Sequence, residues 1–269
     1  MADRVARLVE LPTPRVPKLE VRDLTVSRRQ SSGEVVTAAR DVSFQVGVGE
    51  FVCLIGPSGC GKTSILNVLA GLDTPAAGAA FVGGAPITGP GPERAVLFQE
   101  PALFPWLSVR ANVELALKLV GVGAAERAER AATWLANVGL TAEADAQPHE
   151  LSAGMRQRAA LARALACEPA VLLGDEPFGA LDAQARELLQ DEVQRAWMRS
   201  EGSSTYLFVT HNVREAVLLA DRVLVMSARP GRLVEEVRIQ APRPRGLDDA
   251  LVARVVTEVH DLLMGEVTP

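Results

Sequence analysis

Phe51-Val-Cys-Leu-Ile-Gly-Pro-Ser-Gly-Cys-Gly-Lys-Thr63 decides how this chain is read. Five consecutive apolar residues, Phe51–Ile55, suit a strand buried on both faces, as in a parallel sheet. Gly56 opens GPSGCGKT, an intact GxxxxGK[ST] loop, and Ser64–Gly71 (SILNVLAG) follows with helical spacing and a terminal glycine. Strand, glycine-rich loop and helix in that order make a phosphate cradle. Glycines let the backbone wrap closely around phosphate oxygens with successive N–H groups turned inward. The helix start adds a partial positive charge. The candidate phosphate-binding residues are Gly56, Pro57, Ser58, Gly59, Cys60, Gly61, Lys62, Thr63 and Ser64. Lys62 would reach the outer phosphates and the Thr63 hydroxyl would ligate Mg²⁺. Cys60, near Lys62 and a helix N-terminus, is expected to have a depressed thiol pKa.

Working outward, a second apolar run, Ala170–Gly174 (AVLLG), ends in two adjacent carboxylates, Asp175 and Glu176. Ligands of open α/β sheets sit at the carboxyl ends of strands, so the pair is placed to meet the same phosphates. Asp175 is expected to help hold Mg²⁺ and Glu176 to polarise the attacking water. The two motifs together indicate a P-loop NTPase. Tyr206–Thr210 (YLFVT) and Arg222–Met226 (RVLVM) supply two more buried strands.

Composition sets the outer limits. The 269 residues are 48% hydrophobic and 23% charged, an ordinary globular balance that excludes pervasive disorder. Aromatics are only 4% and the net charge is −5, so neither base-stacking platforms nor a basic footprint for nucleic acid is expected. Cys53, Cys60 and Cys167 are unclustered, and His149, His211 and His260 form no ligand pattern, which argues against a zinc site or a disulfide framework. No signal-peptide core is evident near the N-terminus, and no apolar run reaches 18 residues. Residues 1–17, with Pro12, Pro14 and Pro17, read as a flexible extension. Lys18–Val26 and Glu34–Val46 alternate like half-buried strands around a polar turn at Arg28–Gly33. A short strand is expected at Ala79–Val82, a mostly helical region over about 100–165, and an amphipathic helix over Leu181–Arg199. The main domain is expected to span 18–240, and 241–269 a helical tail whose apolar residues from Leu251 to Leu263 fall on one stripe.

Leu151-Ser-Ala-Gly-Met-Arg-Gln-Arg158 resembles the LSGGQ-type signature of ABC ATPases, and it stands just before the second carboxylate motif, where that family places it. Gln99, the loop Pro177-Phe-Gly-Ala-Leu-Asp182 and His211 follow the same family order, so the resemblance covers roughly 19–231 through six spaced motifs. It implies a RecA-like core with a mostly parallel sheet, an antiparallel β subdomain and a helical signature subdomain. It further implies ATP and Mg²⁺ as ligands and a head-to-tail homodimer. Each ATP would lie between one subunit's phosphate loop and Ser152 and Gly154 of the other, with Asp182 at the contact. A hydroxyl and a glycine N–H at a helix N-terminus suit a γ-phosphate receptor. Glu176, His211 and Gln99 are the implied catalytic set, and Thr63, Gln99 and Asp175 the implied metal set.

Two departures from the family pattern stand out. Ala153 replaces the usual third-position glycine, so the backbone there must be right-handed. No aromatic follows the first strand to cover adenine, which leaves that role to Val35, Val36, Arg28 or Arg29. Pro101-Ala-Leu-Phe-Pro-Trp-Leu-Ser-Val109, with Ser227-Ala-Arg-Pro-Gly-Arg232 and Ala241-Pro-Arg-Pro-Arg245, looks like the nitrate/sulfonate/taurine group of bacterial importer ATPases. That group implies two transmembrane permease subunits, a separate extracytoplasmic solute-binding protein and a place at the cytoplasmic face of the membrane. An exporter ATPase fits the same core motifs. A translation or repair ATPase fits less well, because neither a second cassette nor a coiled coil is present.

Overall fold

The computed structural model describes residues 17–29, 33–246 and 248–266. The expected extension lies outside them except for Pro17, which opens β1 (Pro17–Arg29). β1 pairs antiparallel with β2 (Val35–Gly47) and with β4 (Ala77–Val82), which pairs with the two-residue β5 (Ala85–Pro86). The expected turn is therefore shorter at its start, where Arg28 and Arg29 continue the ladder opposite Val36 and Val35; 30–32 lie outside the described residues.

A second sheet has the order β10-β9-β3-β8-β7-β6. Its members are β3 (Phe51–Ile55), β6 (Arg94–Leu97), β7 (Val171–Asp175), β8 (Thr205–Thr210), β9 (Arg222–Met226) and β10 (Leu233–Arg238). All pairings are parallel except the edge pair β9–β10. Both faces are covered, which explains the continuous apolar runs. Phe51, Cys53 and Ile55 point into one core with Tyr206, Phe208, Val223 and Val225. Val52 and Leu54 point into the other with Leu207, Val209 and Leu224, beneath β1, β2 and α1 (Lys62–Ala70).

Between β6 and β7 the chain makes α2 (Val109–Leu119), α3 (Ala124–Asn137) and α4 (Ala153–Ala166). α5 (Ala183–Arg199) starts two residues later than the apolar pattern suggests, because Asp182 is its N-cap: Oδ1 accepts from the Ala185 N–H at 2.9 Å. α6 (Val213–Leu219) precedes β9, and α7 (Ala250–Gly265) buries Val252, Val255 and Val259 in the first core. Arg243 lies over the Trp197 ring at 4.2 Å, and Arg245 donates to the carbonyls of Val217 at 3.0 Å and Ala241 at 3.0 Å, fastening the segment before α7 to the end of α6. No helix among the described residues is long and apolar enough to cross a membrane.

Candidate functional site

The site grows from the carboxyl ends of three adjacent strands, β3, β8 and β7. β3 delivers Gly56, and the loop turns into α1 at Gly61, whose φ of 99° is left-handed. A side chain there would also be obstructed, since a Cβ at Gly61 would stand 2.8 Å from the Ala39 Cβ and 3.0 Å from the Ala38 carbonyl carbon. Ser58 and Gly59 form the exposed tip, while Ser64 is buried inside α1. Lys62 is buried, and its ammonium donates to the carbonyls of Gly56 at 2.7 Å and Pro57 at 3.0 Å. The cation thus stands inside the loop, held by weak neutral acceptors that an anion would replace to advantage.

Thr63 Oγ1 donates to Asp175 Oδ1 at 2.9 Å, joining the phosphate loop to the end of β7. Burial pushes the Asp175 carboxyl up and neighbouring Glu176 adds to the rise, while the Thr63 hydroxyl, Lys62 and Arg28 oppose it. Val35 and Val36 face Arg29 and Arg28, with Val35 exposed. Glu176 has φ 43°, uncommon for a residue with a side chain, and its N–H donates to the Val209 carbonyl at 2.9 Å. The turn brings Glu176 Oε2 to 2.9 Å from His211 Nδ1, just past the end of β8. The structure therefore joins Lys62, Thr63, Asp175, Glu176 and His211 at one mouth.

The other candidates stand around that mouth rather than in it. Gln99 is exposed in a bend after β6. Ser152 caps α4, its Oγ accepting from the Met155 N–H at 3.2 Å. Ala153 is the first helical residue, so the family's glycine position is right-handed here and takes a methyl without cost. α4 packs on β6, three strand spacings from β3, about 14 Å along the sheet. Gly154 faces α5, where an added Cβ would stand 3.2 Å from that of Ala185. Signature and Asp182 are thus neighbours at two helix N-termini, displaced sideways from their own phosphate loop.

One expectation is corrected. Cys60 is fully buried, and burial raises its thiol above the ordinary value, outweighing the lowering by Lys62 and the backbone N–H groups. Sequence proximity to a cation suggested the opposite, but enclosure by the second core decides it. Partly exposed Cys167 is expected to take up maleimide ahead of buried Cys60 and Cys53 in timed labelling read by mass spectrometry. Faster labelling of Cys60 would contradict its burial.

Several supporting residues carry roles that their sequence segments do not reveal. Gly231 clamps the loop from behind: its N–H donates to the Ala38 carbonyl at 2.9 Å, and its carbonyl accepts from the Arg40 N–H at 2.9 Å. Gln157, buried in α4, donates to the Phe98 carbonyl at 3.0 Å, and Arg163 donates to the Ala102 carbonyl at 2.8 Å. These bonds tie the signature helix to both sides of Gln99. Asn112, fully buried, holds the loop that displays Trp106 by accepting from the Phe104 N–H at 2.8 Å and donating to the Leu107 carbonyl at 3.1 Å.

A phosphate loop at β3, carboxylates ending β7 and a histidine ending β8 define a P-loop NTPase. The chain belongs to the ABC transporter family, whose pattern matches residues 39–179. Its curated relatives include the nitrate import ATP-binding protein of Synechocystis sp., 47% identical over 83% of each chain. They also include the taurine import ATP-binding protein of Mesorhizobium japonicum, 54% identical over 75% of this chain and 78% of the relative. Among solved structures, a dimeric post-hydrolysis state of the ATP-binding cassette MJ0796 bound to ADP and Pi matches with a TM-score of 0.73 and 28% identity, over 83% of this chain and all of that one. The protein is an ATP-binding cassette ATPase, as its motifs indicate.

Proposed function

We propose that this chain is the ATP-hydrolysing subunit of a bacterial importer for a small anionic solute of the nitrate, sulfonate or taurine class. It would act as a homodimer at the cytoplasmic face of the membrane, on two transmembrane permease subunits served by a separate solute-binding protein. The observation that carries the chemistry is the paired contact at one mouth: Thr63 with Asp175, and Glu176 with His211. Identity of 47–54% to import ATP-binding proteins supports the importer reading.

The residues present fit Mg²⁺. Thr63 Oγ1 and Asp175 Oδ1 are hard oxygen donors 2.9 Å apart, and burial leaves the Asp175 charge undercompensated. Among the described residues no cluster of three or more His, Cys, Asp or Glu could hold a metal, which suits an ion completed by substrate phosphates and water. Gln99 would join Thr63 and Asp175 as the third chain segment at that ion. Bound there, Mg²⁺ would neutralise charge on the phosphate oxygens. Lys62 binds and orients the outer phosphates. Glu176 takes the proton of the attacking water, and His211 holds that carboxylate through Nδ1. Ser152 and Gly154 would meet the γ-phosphate of the opposite subunit's ATP, since both are displaced from their own loop and Ser152 is exposed.

The permease reading rests on the loop after Gln99. Trp106 is 72% exposed, with its ring 5.5 Å from that of Phe104, on a backbone that buried Asn112 keeps in place. Trp106→Ala should leave the isolated subunit's ATPase rate unchanged. It should weaken co-purification with the permease by about 2 kcal/mol or more, a loss typical of an interface aromatic. A variant that melts or aggregates by itself would assign Trp106 to the core instead.

A further inference from the structure

A polar seam beneath the site converges on Glu215. This residue sits in the first turn of α6, four positions beyond His211, and is only 4% exposed. Its N–H donates to the side chain of Asn212, which fixes the start of α6. Its carboxylate faces inward between α6, β8 and α5. Gln190 Nε2 of α5 donates to Oε2 at 3.5 Å, and the Thr210 hydroxyl, one residue before His211, stands close enough to the carboxylate to stabilise its charge. Oε1 has no partner among the described residues. One turn earlier on α5, Arg186 donates to the carbonyls of Phe178 at 3.4 Å and Leu181 at 3.0 Å, bracing the loop that leads to Asp182. One turn later, Gln194 donates to the Leu218 carbonyl of α6 at 3.4 Å. Arg186, Gln190 and Gln194 therefore form one face of α5, at i, i+4 and i+8, set against α6.

A buried carboxylate is costly to keep in a core, so apolar packing alone gives no reason for it here. Its placement supplies one. It spans the strand end that presents His211 and the helix that Asp182 caps. We infer that Glu215 is a positioning residue for ATP hydrolysis: it ties the His211-bearing end of β8 to α5 and so keeps His211 aligned with Glu176. Burial pushes its carboxyl up to about 7; the Thr210 hydroxyl, Arg186 and Gln190 oppose that rise, and Glu176 adds to it. Cys53 of β3 faces it electrostatically from the sheet. Near neutral pH the group can then donate as well as accept, and a neutral amide reproduces it.

The inference rests on Glu176 being the general base, and steady-state ATPase kinetics separate the two. Glu215→Ala should lower kcat about tenfold or more, the scale of a small misalignment of reacting groups, with KM for ATP held within about twofold. Glu215→Gln should restore kcat to within about threefold of the parent, since size and hydrogen bonding return. Gln190→Ala probes the same seam from α5, whether or not Glu215→Ala folds, and should show the same split. The inference is overturned if kcat is unchanged in Glu215→Ala, or in Gln190→Ala should Glu215→Ala fail to fold, if KM moves as much as kcat, or if Glu215→Gln performs no better than Glu215→Ala. An inactive Glu176→Gln beside a fully active Glu215→Ala would sink this inference alone. A fully active Glu176→Gln would sink the assignment of the base.

Discussion

Glu176→Gln should retain ATP binding and lose hydrolysis by about 10²–10⁴-fold, the usual cost of removing a positioned general base. The substitution keeps the size of the side chain and can keep the contact to His211 Nδ1, now 2.9 Å. It removes the negative charge and, with it, the ability to take a proton from water. The carboxylate also stands beside Asp175, whose own carboxyl is raised by that neighbouring charge. Neutralising Glu176 lowers the negative potential at the mouth, so affinity for the polyphosphate should hold or rise. Single-turnover hydrolysis and equilibrium binding of a fluorescent ATP analogue would separate the two effects. Hydrolysis near the parent rate would show that another group activates water.

The second large effect is expected at Gly231, which lies behind the phosphate loop and outside its sequence motif. A Cβ there would stand 2.0 Å from the Cys60 carbonyl oxygen and 2.8 Å from the Met226 methyl. The Met226 methyl ends a flexible side chain and can swing aside, but the Cys60 carbonyl is backbone of the phosphate loop, so Gly231→Ala must displace the loop. Overpacking of this kind costs about 1–3 kcal/mol, which would appear as a roughly 5–150-fold weaker Kd for ATP. Gly89→Ala is the matched control, because a Cβ there meets nothing within 4 Å and the backbone is not left-handed. Equal affinities in both variants would show that the loop is not held from behind.

The phosphate loop and the Asp175-Glu176 pair were legible because their signal is local. Apolar runs ended by glycines or carboxylates follow from a sheet covered on both faces, and β3 and β7 form where those runs lie. The strand at Arg222–Met226 was legible for the same reason. β6 and β10 were harder to read. Each lies at a sheet edge with partly exposed residues, so neither a buried run nor strict alternation marks it. The floor of the loop, Ala38, Ala39 and Gly231, was illegible because it joins β2 to the segment after β9 across most of the chain. Cys60 was misread because its neighbours in sequence are a cation and a helix start, while its neighbours in space are apolar. Glu215 gave no sign, since a glutamate in a short amphipathic helix reads as solvated until α5 is packed over it.

The proposed site is shared by two copies of this chain, with ATP held by the phosphate loop of one and by Ser152 and Gly154 of the other. It is tested most directly by the mass in solution of Glu176→Gln, measured by size exclusion with light scattering at micromolar concentration. With hydrolysis blocked, the variant should be a dimer in ATP and a monomer in ADP. Adding Ser152→Arg should return it to a monomer in ATP while binding to its own loop persists, because Ser152 caps α4 well away from Lys62. A Glu176→Gln protein that is catalytically silent yet monomeric in saturating ATP would contradict the shared site.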